Sequence, residues 1–70
     1  MALRFGRSRL PELIKANRTT QRELGKRLGF SESFVSQIIS GKATLSLIKA
    51  KEASMILNCS IDDLYEWELE

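Results

Sequence analysis

The sequence predicts an all-α fold of five short helices built around a helix-turn-helix, and three observations carry that prediction. Apolar residues recur at helical spacing along the 70-residue chain. Hydroxyl-bearing and glycine residues punctuate it where helices start and stop. The twenty residues from Gln21 to Ser40, QRELGKRLGFSESFVSQIIS, place Leu24, Gly25, Leu28, Phe30, Val35 and Ile38 where one short helix crosses another steeply, with Gly29 at the bend.

Taken in order, Ser8 caps a first helix running to about Asn17, with Pro11 tolerated in its opening turn and Leu10, Leu13 and Ile14 facing inward. Thr20-Gln21-Arg22-Glu23 fits a capping box, so a second helix starts at Gln21 and ends near Leu28, where Gly29 supplies a left-handed residue. Ser31 caps a third helix over 32–40, which stops at Gly41. Thr44 caps a fourth to Leu57, with Leu47, Ala50, Ala53, Ser54 and Leu57 on its inner face and Asn58 ending it. Ser60 caps a final short helix, with Asp62 and Asp63 at its positive end and Ile61, Leu64 and Tyr65 packing back. Helical spacing is assigned throughout, with no strand-like alternation beyond four residues; the last six, YEWELE, place aromatic or aliphatic residues between acids and look exposed unless another surface covers them.

Composition narrows the function. With 43% apolar residues in 70, one small core must come from tightly packed helices, and the chain reads as a single domain, 1–70. It comprises a basic arm (1–7), the helix-turn-helix core (21–40) and an acidic C-terminal segment (61–70). The single Cys59 and the absence of histidine exclude zinc sites of the finger type and histidine-based catalysis. Cys59 itself reads as a small buried apolar residue. No nucleophile with a base, paired-carboxylate pocket or glycine-rich phosphate loop is evident, so no enzyme, cofactor or small-molecule ligand is expected. Neither an apolar leader segment nor a membrane-length apolar run appears, which predicts a soluble protein of the reducing cytoplasm, associated with the nucleoid.

The net charge of +2 conceals an asymmetry. All 11 Lys and Arg lie in residues 1–51, against only Glu12, Glu23 and Glu32. Residues 52–70 hold no base and the acids Glu52, Asp62, Asp63, Glu66, Glu68 and Glu70. A basic body with an acidic tail points to a polyanion on one side and a different partner on the other.

In the Gln21–Ser40 stretch, glycine at position 25 costs about 1 kcal/mol relative to alanine in a helix interior. A close helix crossing that excludes a larger side chain offsets the loss. Phe30 plugs the corner, Val35 and Ile38 bury the inner face of the third helix, and Glu32, Ser33, Ser36 and Gln37 remain outside, shaped for a DNA major groove. The extended stretch TQRELGKRLGFSESFVSQIISGKA resembles the helix-turn-helix of the lambda repressor and Cro family, also called the xenobiotic-response-element family. The resemblance runs from about Leu10 to Tyr65 and takes in the TQ start, the L-G pair, VSQI, the SGK loop and SIDDLY. It implies a five-helix domain whose third helix reads bases, commonly as a dimer on a two-fold operator. Two positions depart from it: Leu45, where proline is frequent, and Ala43, where a basic residue is frequent.

Carried over residue by residue, the resemblance implies that the Gln21 backbone meets a phosphate while its side chain braces Glu32. Glu32 either accepts from a cytosine amine or is simply held by Gln21. Ser33 bonds a base edge or a phosphate, and Gln37, able to pair bidentately with adenine, is the best reader. Phosphate contacts are expected from Gln21, Arg22, Ser31, Ser36, Ser40, Gly41, Lys42 and Thr44, and the basic arm of Arg4, Arg7 and Arg9 tracks the backbone, reaches a minor groove or stays solvated. No Lys or Arg lies between Ser31 and Ser40, so the commonest specific contact, arginine to guanine, is missing.

The expected function is sequence-specific binding of double-stranded DNA by a transcriptional regulator, a repressor of the short Cro-like sort, acting as a homodimer. Ile61, Leu64, Tyr65, Trp67 and Leu69 are the expected dimer or partner surface, the alternative being that Trp67 folds back onto the chain's own small core. The alternative is an adaptor or anti-repressor that keeps the fold and binds another regulatory protein. No membrane partner is expected.

Overall fold

Hydroxyl caps decide where three of the helices begin. The structure, a computed structural model, describes residues 2–70. Thr20 Oγ1 accepts from the Glu23 N–H at 3.1 Å and opens helix α2 (Gln21–Leu28). Ser31 Oγ accepts from the Phe34 N–H at 3.1 Å and opens α3 (Glu32–Ser40). Each satisfies one of the N–H groups a helix start leaves without an intrahelical partner, for about 1 kcal/mol. Ahead of them lies α1 (Leu10–Ala16), with Pro11 in its first turn. Its N-cap is Arg9 rather than Ser8; the buried Ser8 hydroxyl instead accepts from the Leu10 N–H at 3.3 Å.

The fourth helix starts later than its sequence suggests. Ser46, not Thr44, caps α4 (Leu47–Ile56), its Oγ accepting from the Lys49 N–H at 3.2 Å. The shift turns Leu47 outward, 76% exposed, while Ala50, Ala53, Ser54 and Leu57 face the core as expected.

The five-helix, all-α expectation is corrected at both ends of the chain. The last helix is a four-residue 3₁₀ turn, Ile61–Leu64, with Ser60 and Asp63 exchanging cap bonds. Beyond it the backbone is extended: β2 (Tyr65–Leu69) pairs antiparallel with β1 (Leu3–Ser8), matching Leu3 with Leu69, Arg4 with Glu68, Phe5 with Trp67 and Ser8 with Tyr65. The register shifts between Phe5 and Ser8, where a Cβ on Gly6 would stand 2.6 Å from the Glu66 carbonyl oxygen. The physical reason is the period-two alternation of YEWELE, which separates apolar from charged residues only on a strand. The basic arm is therefore half of a two-stranded ribbon. Residue 1 of that arm lies outside the described residues.

Ribbon and helices share one core. Leu10, Leu24, Leu28, Ile38, Leu57 and Leu64 are all at most 2% exposed, each burial being worth about 1.5–3 kcal/mol relative to exposure. Tyr65 joins them, its hydroxyl accepting from the Leu45 N–H at 3.4 Å. No helix among the described residues is long and apolar enough to cross a membrane.

Candidate nucleic-acid interface

The geometry of the helix pair α2 and α3 rests on one missing side chain. A Cβ on Gly25 would meet the Phe30 carbonyl oxygen at 2.8 Å and the Val35 Cγ2 methyl at 3.2 Å. The Phe30 N–H already donates to the Gly25 carbonyl at 2.7 Å, so the turn lies directly on the helix. α2 ends on Gly29 at φ 77°. Phe30, half-buried, packs edge to face on Phe34 with ring centroids 4.7 Å apart. Val35 and Ile38, each 1% exposed, tie α3 to the core.

That burial leaves the other side of α3 to solvent. Glu32, Ser33, Ser36 and Gln37 are exposed, and among the described residues their side-chain polar atoms form no hydrogen bond within the protein. Of the residues expected at phosphates, Arg22, Ser31, Ser40, Gly41, Lys42 and Thr44 are exposed and Gln21 is half-buried. The Gln21 side chain makes no hydrogen bond to Glu32, although the resemblance implied such a brace. Two hydroxyls are partly committed. Ser31 Oγ accepts from Phe34 but keeps its proton to donate. Ser40 Oγ donates to the Gln37 carbonyl at 3.1 Å, a bond a phosphate would have to replace. That same carbonyl takes the Lys42 and Ala43 N–H groups at 2.9 and 3.2 Å, which folds the SGK loop against the end of α3.

The expected basic arm is placed differently. Arg4 pairs with Glu68 and Glu70 at 3.0 and 2.9 Å, and Arg7 bridges Glu12 at 2.8 Å and Glu66 at 2.9 Å. Arg9 lies 3.8 Å from Glu12 and 3.9 Å from Asp63. The Arg7 hydrogen bonds hold the Glu12 carboxyl below the usual carboxylate range and push the guanidinium pKa further up. Asp63 is likewise held low, first by the Ser60 backbone N–H and then by the Ser60 hydroxyl. Part of the charge asymmetry along the chain is thus cancelled where the ribbon forms. Of the cations outside these pairs, Arg22, Lys26 and Arg27 lie on α2, Lys42 in the loop after α3 and Lys51 on α4.

The residues expected at a dimer surface divide. Leu64 and Tyr65 are buried in the chain's own core, because the 3₁₀ turn packs inward there, and they reach the surface only as lining of a cleft. Burial also raises the Tyr65 phenol pKa. Ile61 is half-buried. Trp67 and Leu69 stay 41% and 64% exposed, although the indole N–H of Trp67 donates to the Asp62 carbonyl at 2.9 Å. Sequence reasoning did not single out Leu3 and Phe5, which stand opposite them on β1; the Phe5 and Trp67 ring centroids are 5.3 Å apart. Alternation of LRF against EWE was the signal that could have found them. A cleft of about 220 Å³ opens between the ribbon and α4, lined by Phe5, Leu45, Leu47, Ile61, Tyr65 and Trp67. Nor did spacing along the chain suggest a role for Lys49, half-buried on α4, whose Nζ donates to the Leu28 carbonyl at 2.8 Å.

A protein-family comparison matches residues 12–64 to a family described as Helix-turn-helix. The match covers most of the chain, from within α1 through the 3₁₀ turn, and both strands fall outside it. No curated protein matches the sequence.

Proposed function

The chain belongs to the lambda repressor/Cro-like helix-turn-helix family of DNA-binding transcription regulators, and from that membership we propose that it reads a specific two-fold operator as a homodimer and represses by occupying it. One observation carries the reading. α3 is pinned by Val35 and Ile38 on one side and offers Glu32, Ser33, Ser36 and Gln37, uncommitted, on the other. Polar side chains with no partner inside the protein are the groups that base edges satisfy.

Glu32, Ser33 and Gln37 read bases in this proposal. Arg22, Ser31, Ser36, Lys42 and Thr44, with the Gln21 and Gly41 backbones and the Ser40 hydroxyl, hold phosphates. A base-reading helix without a cation gives each half-site modest discrimination, each good contact being worth about 1–3 kcal/mol. Two half-sites about 34–36 Å apart add their recognition free energies.

The dimer face we propose is the apolar side of the ribbon. Leu3, Phe5, Trp67 and Leu69 line it, and the exposed Leu47 projects beside its cleft, so knob and hole occur on one surface, as an isologous contact requires. Charge supports a second copy as the occupant. On the ribbon, Arg4 and Arg7 interleave with Glu66, Glu68 and Glu70 in ion pairs, leaving a single net negative charge rather than a row of like charge to repel a copy of itself.

Selection of bound fragments from random duplexes tests the proposal. Enriched fragments should carry two inverted copies of one short sequence, centred about one helical turn apart. Recovery of a lone half-site would remove the dimer, and no enrichment at any salt concentration would remove sequence reading altogether.

A further inference from the structure

The Lys49 side chain reaches the turn between α2 and α3 from outside the helix pair. Leu28 ends α2, and its carbonyl is one of those no intrahelical N–H reaches. Lys49 Nζ, on α4, donates to that oxygen at 2.8 Å, lies 5.6 Å from the Phe30 ring centroid and pairs with Glu52 at 3.2 Å. Phe30 in turn packs edge to face on Phe34, in the first turn of α3. One ammonium group therefore touches the last residue of α2 and the aromatic of the turn, and through that ring reaches the base of the reading helix. Its charge is met by the negative end of α2, by a ring face and by a carboxylate.

We propose that Lys49 is a positioning residue for DNA recognition: it fixes the angle at which α3 stands out from the rest of the domain, and so sets discrimination between sequences without touching DNA. The proposal rests on the reading of α3 as the base-contacting helix. It separates Lys49 from Lys42, whose exposed ammonium carries no partner among the described residues and is free for a phosphate. A charge already matched inside the protein releases no counterion on binding, so its removal leaves the salt dependence alone.

The test compares the full chain with Lys49→Met and Lys49→Arg, using the duplex enriched by selection and a scrambled duplex of equal length, over a range of salt. Lys49→Met should weaken the enriched duplex about tenfold, within the worth of one misplaced base contact. The scrambled duplex should bind as before with the same salt slope, and Lys49→Arg, which keeps the cation and its donors, should recover most of the loss. Equal weakening on both duplexes with a slope shallower by about one per bound copy would make Lys49 a phosphate contact and overturn the proposal. A second measurement needs no DNA: residual dipolar couplings of α3 relative to α4 in the free protein. These should shrink or reorient in Lys49→Met and return in Lys49→Arg; couplings identical to those of the unsubstituted chain would overturn the positioning role. Failure of every duplex to bind would refute the DNA reading instead, leaving the couplings to decide how α3 is held.

Discussion

At the scale of single residues, the reading face and the phosphate contacts should separate cleanly by mutation. Gln37→Ala is expected to weaken binding to the selected operator by about 1–3 kcal/mol per half-site and to relax preference at one base pair, with scrambled DNA bound as before. Lys42→Ala should weaken all duplexes alike and shallow the salt slope by about one per bound copy. Fluorescence-anisotropy titrations at several salt concentrations measure both, and equal losses from the two variants on every duplex would contradict the assigned roles. Gly25 makes the opposite kind of contribution, through what it lacks. Alanine there would gain about 1 kcal/mol of helix propensity yet place its methyl 2.8 Å from the Phe30 carbonyl oxygen. Overpacking of this kind costs about 1–3 kcal/mol, so Gly25→Ala should lower the thermal midpoint and the operator affinity together. A rise in melting temperature would show the crossing to be looser than described.

Leu45 illustrates how a departure from the family pattern acquires a reason. Its N–H donates to the Tyr65 hydroxyl and its side chain is in the core. Proline, frequent in the family at this position, carries no N–H to offer. Leucine and the tyrosine of the strand thus belong together, a pairing twenty residues apart that spacing along the chain does not reveal.

At the scale of elements, the ribbon is held by ion pairs that are exposed and individually weak. Their collective effect should appear in the response to acid. Glu12, through Arg7, and Asp63, through the Ser60 N–H, hold their carboxyls below the ordinary range. The folded chain therefore gives up these protons more readily than the unfolded chain. The stabilisation is complete above the unfolded pKa, about 4, and is lost as pH falls through the lower folded values. Denaturant unfolding between about pH 6 and 2 should show this decline, and Arg7→Gln should make it shallower by removing the partner shared by Glu12 and Glu66. An identical decline in the variant would show that Arg7 does not couple β1 to α1 and β2 in solution.

At the scale of the whole molecule, the chain divides into a family-matched helical body, residues 12–64, and a ribbon outside that match. The helical body carries the reading face, and the ribbon carries Leu3, Phe5, Trp67 and Leu69, four of the seven exposed large apolar residues among those described. Trp67→Ala should therefore lower the proportion of dimer in sedimentation equilibrium while leaving one copy's contact with a half-site intact. On the two-fold operator, the expected result is a drop of more than about tenfold in affinity with a shift towards half-site stoichiometry, as linked recognition is lost. A dimer fraction unchanged by Trp67→Ala and by Phe5→Ala would place the contact elsewhere.

The sequence alone determined the parts whose signals are local. Caps at Thr20 and Ser31, the Gly25–Gly29 spacing and the Val35–Ile38 pair fall on neighbouring turns, so α2, α3 and the polar face of α3 were legible from one stretch of chain. Only the tertiary structure decided the fate of the two termini. Whether Arg4 and Arg7 reach outward or pair with Glu66, Glu68 and Glu70 depends on strands about sixty residues apart meeting, and hydrophobic periodicity carries no information about which distant strand a segment will join. The same holds for Lys49, whose partners, the Leu28 carbonyl and the Phe30 ring, lie one helix and a turn away and become neighbours only when α4 packs beneath the bend.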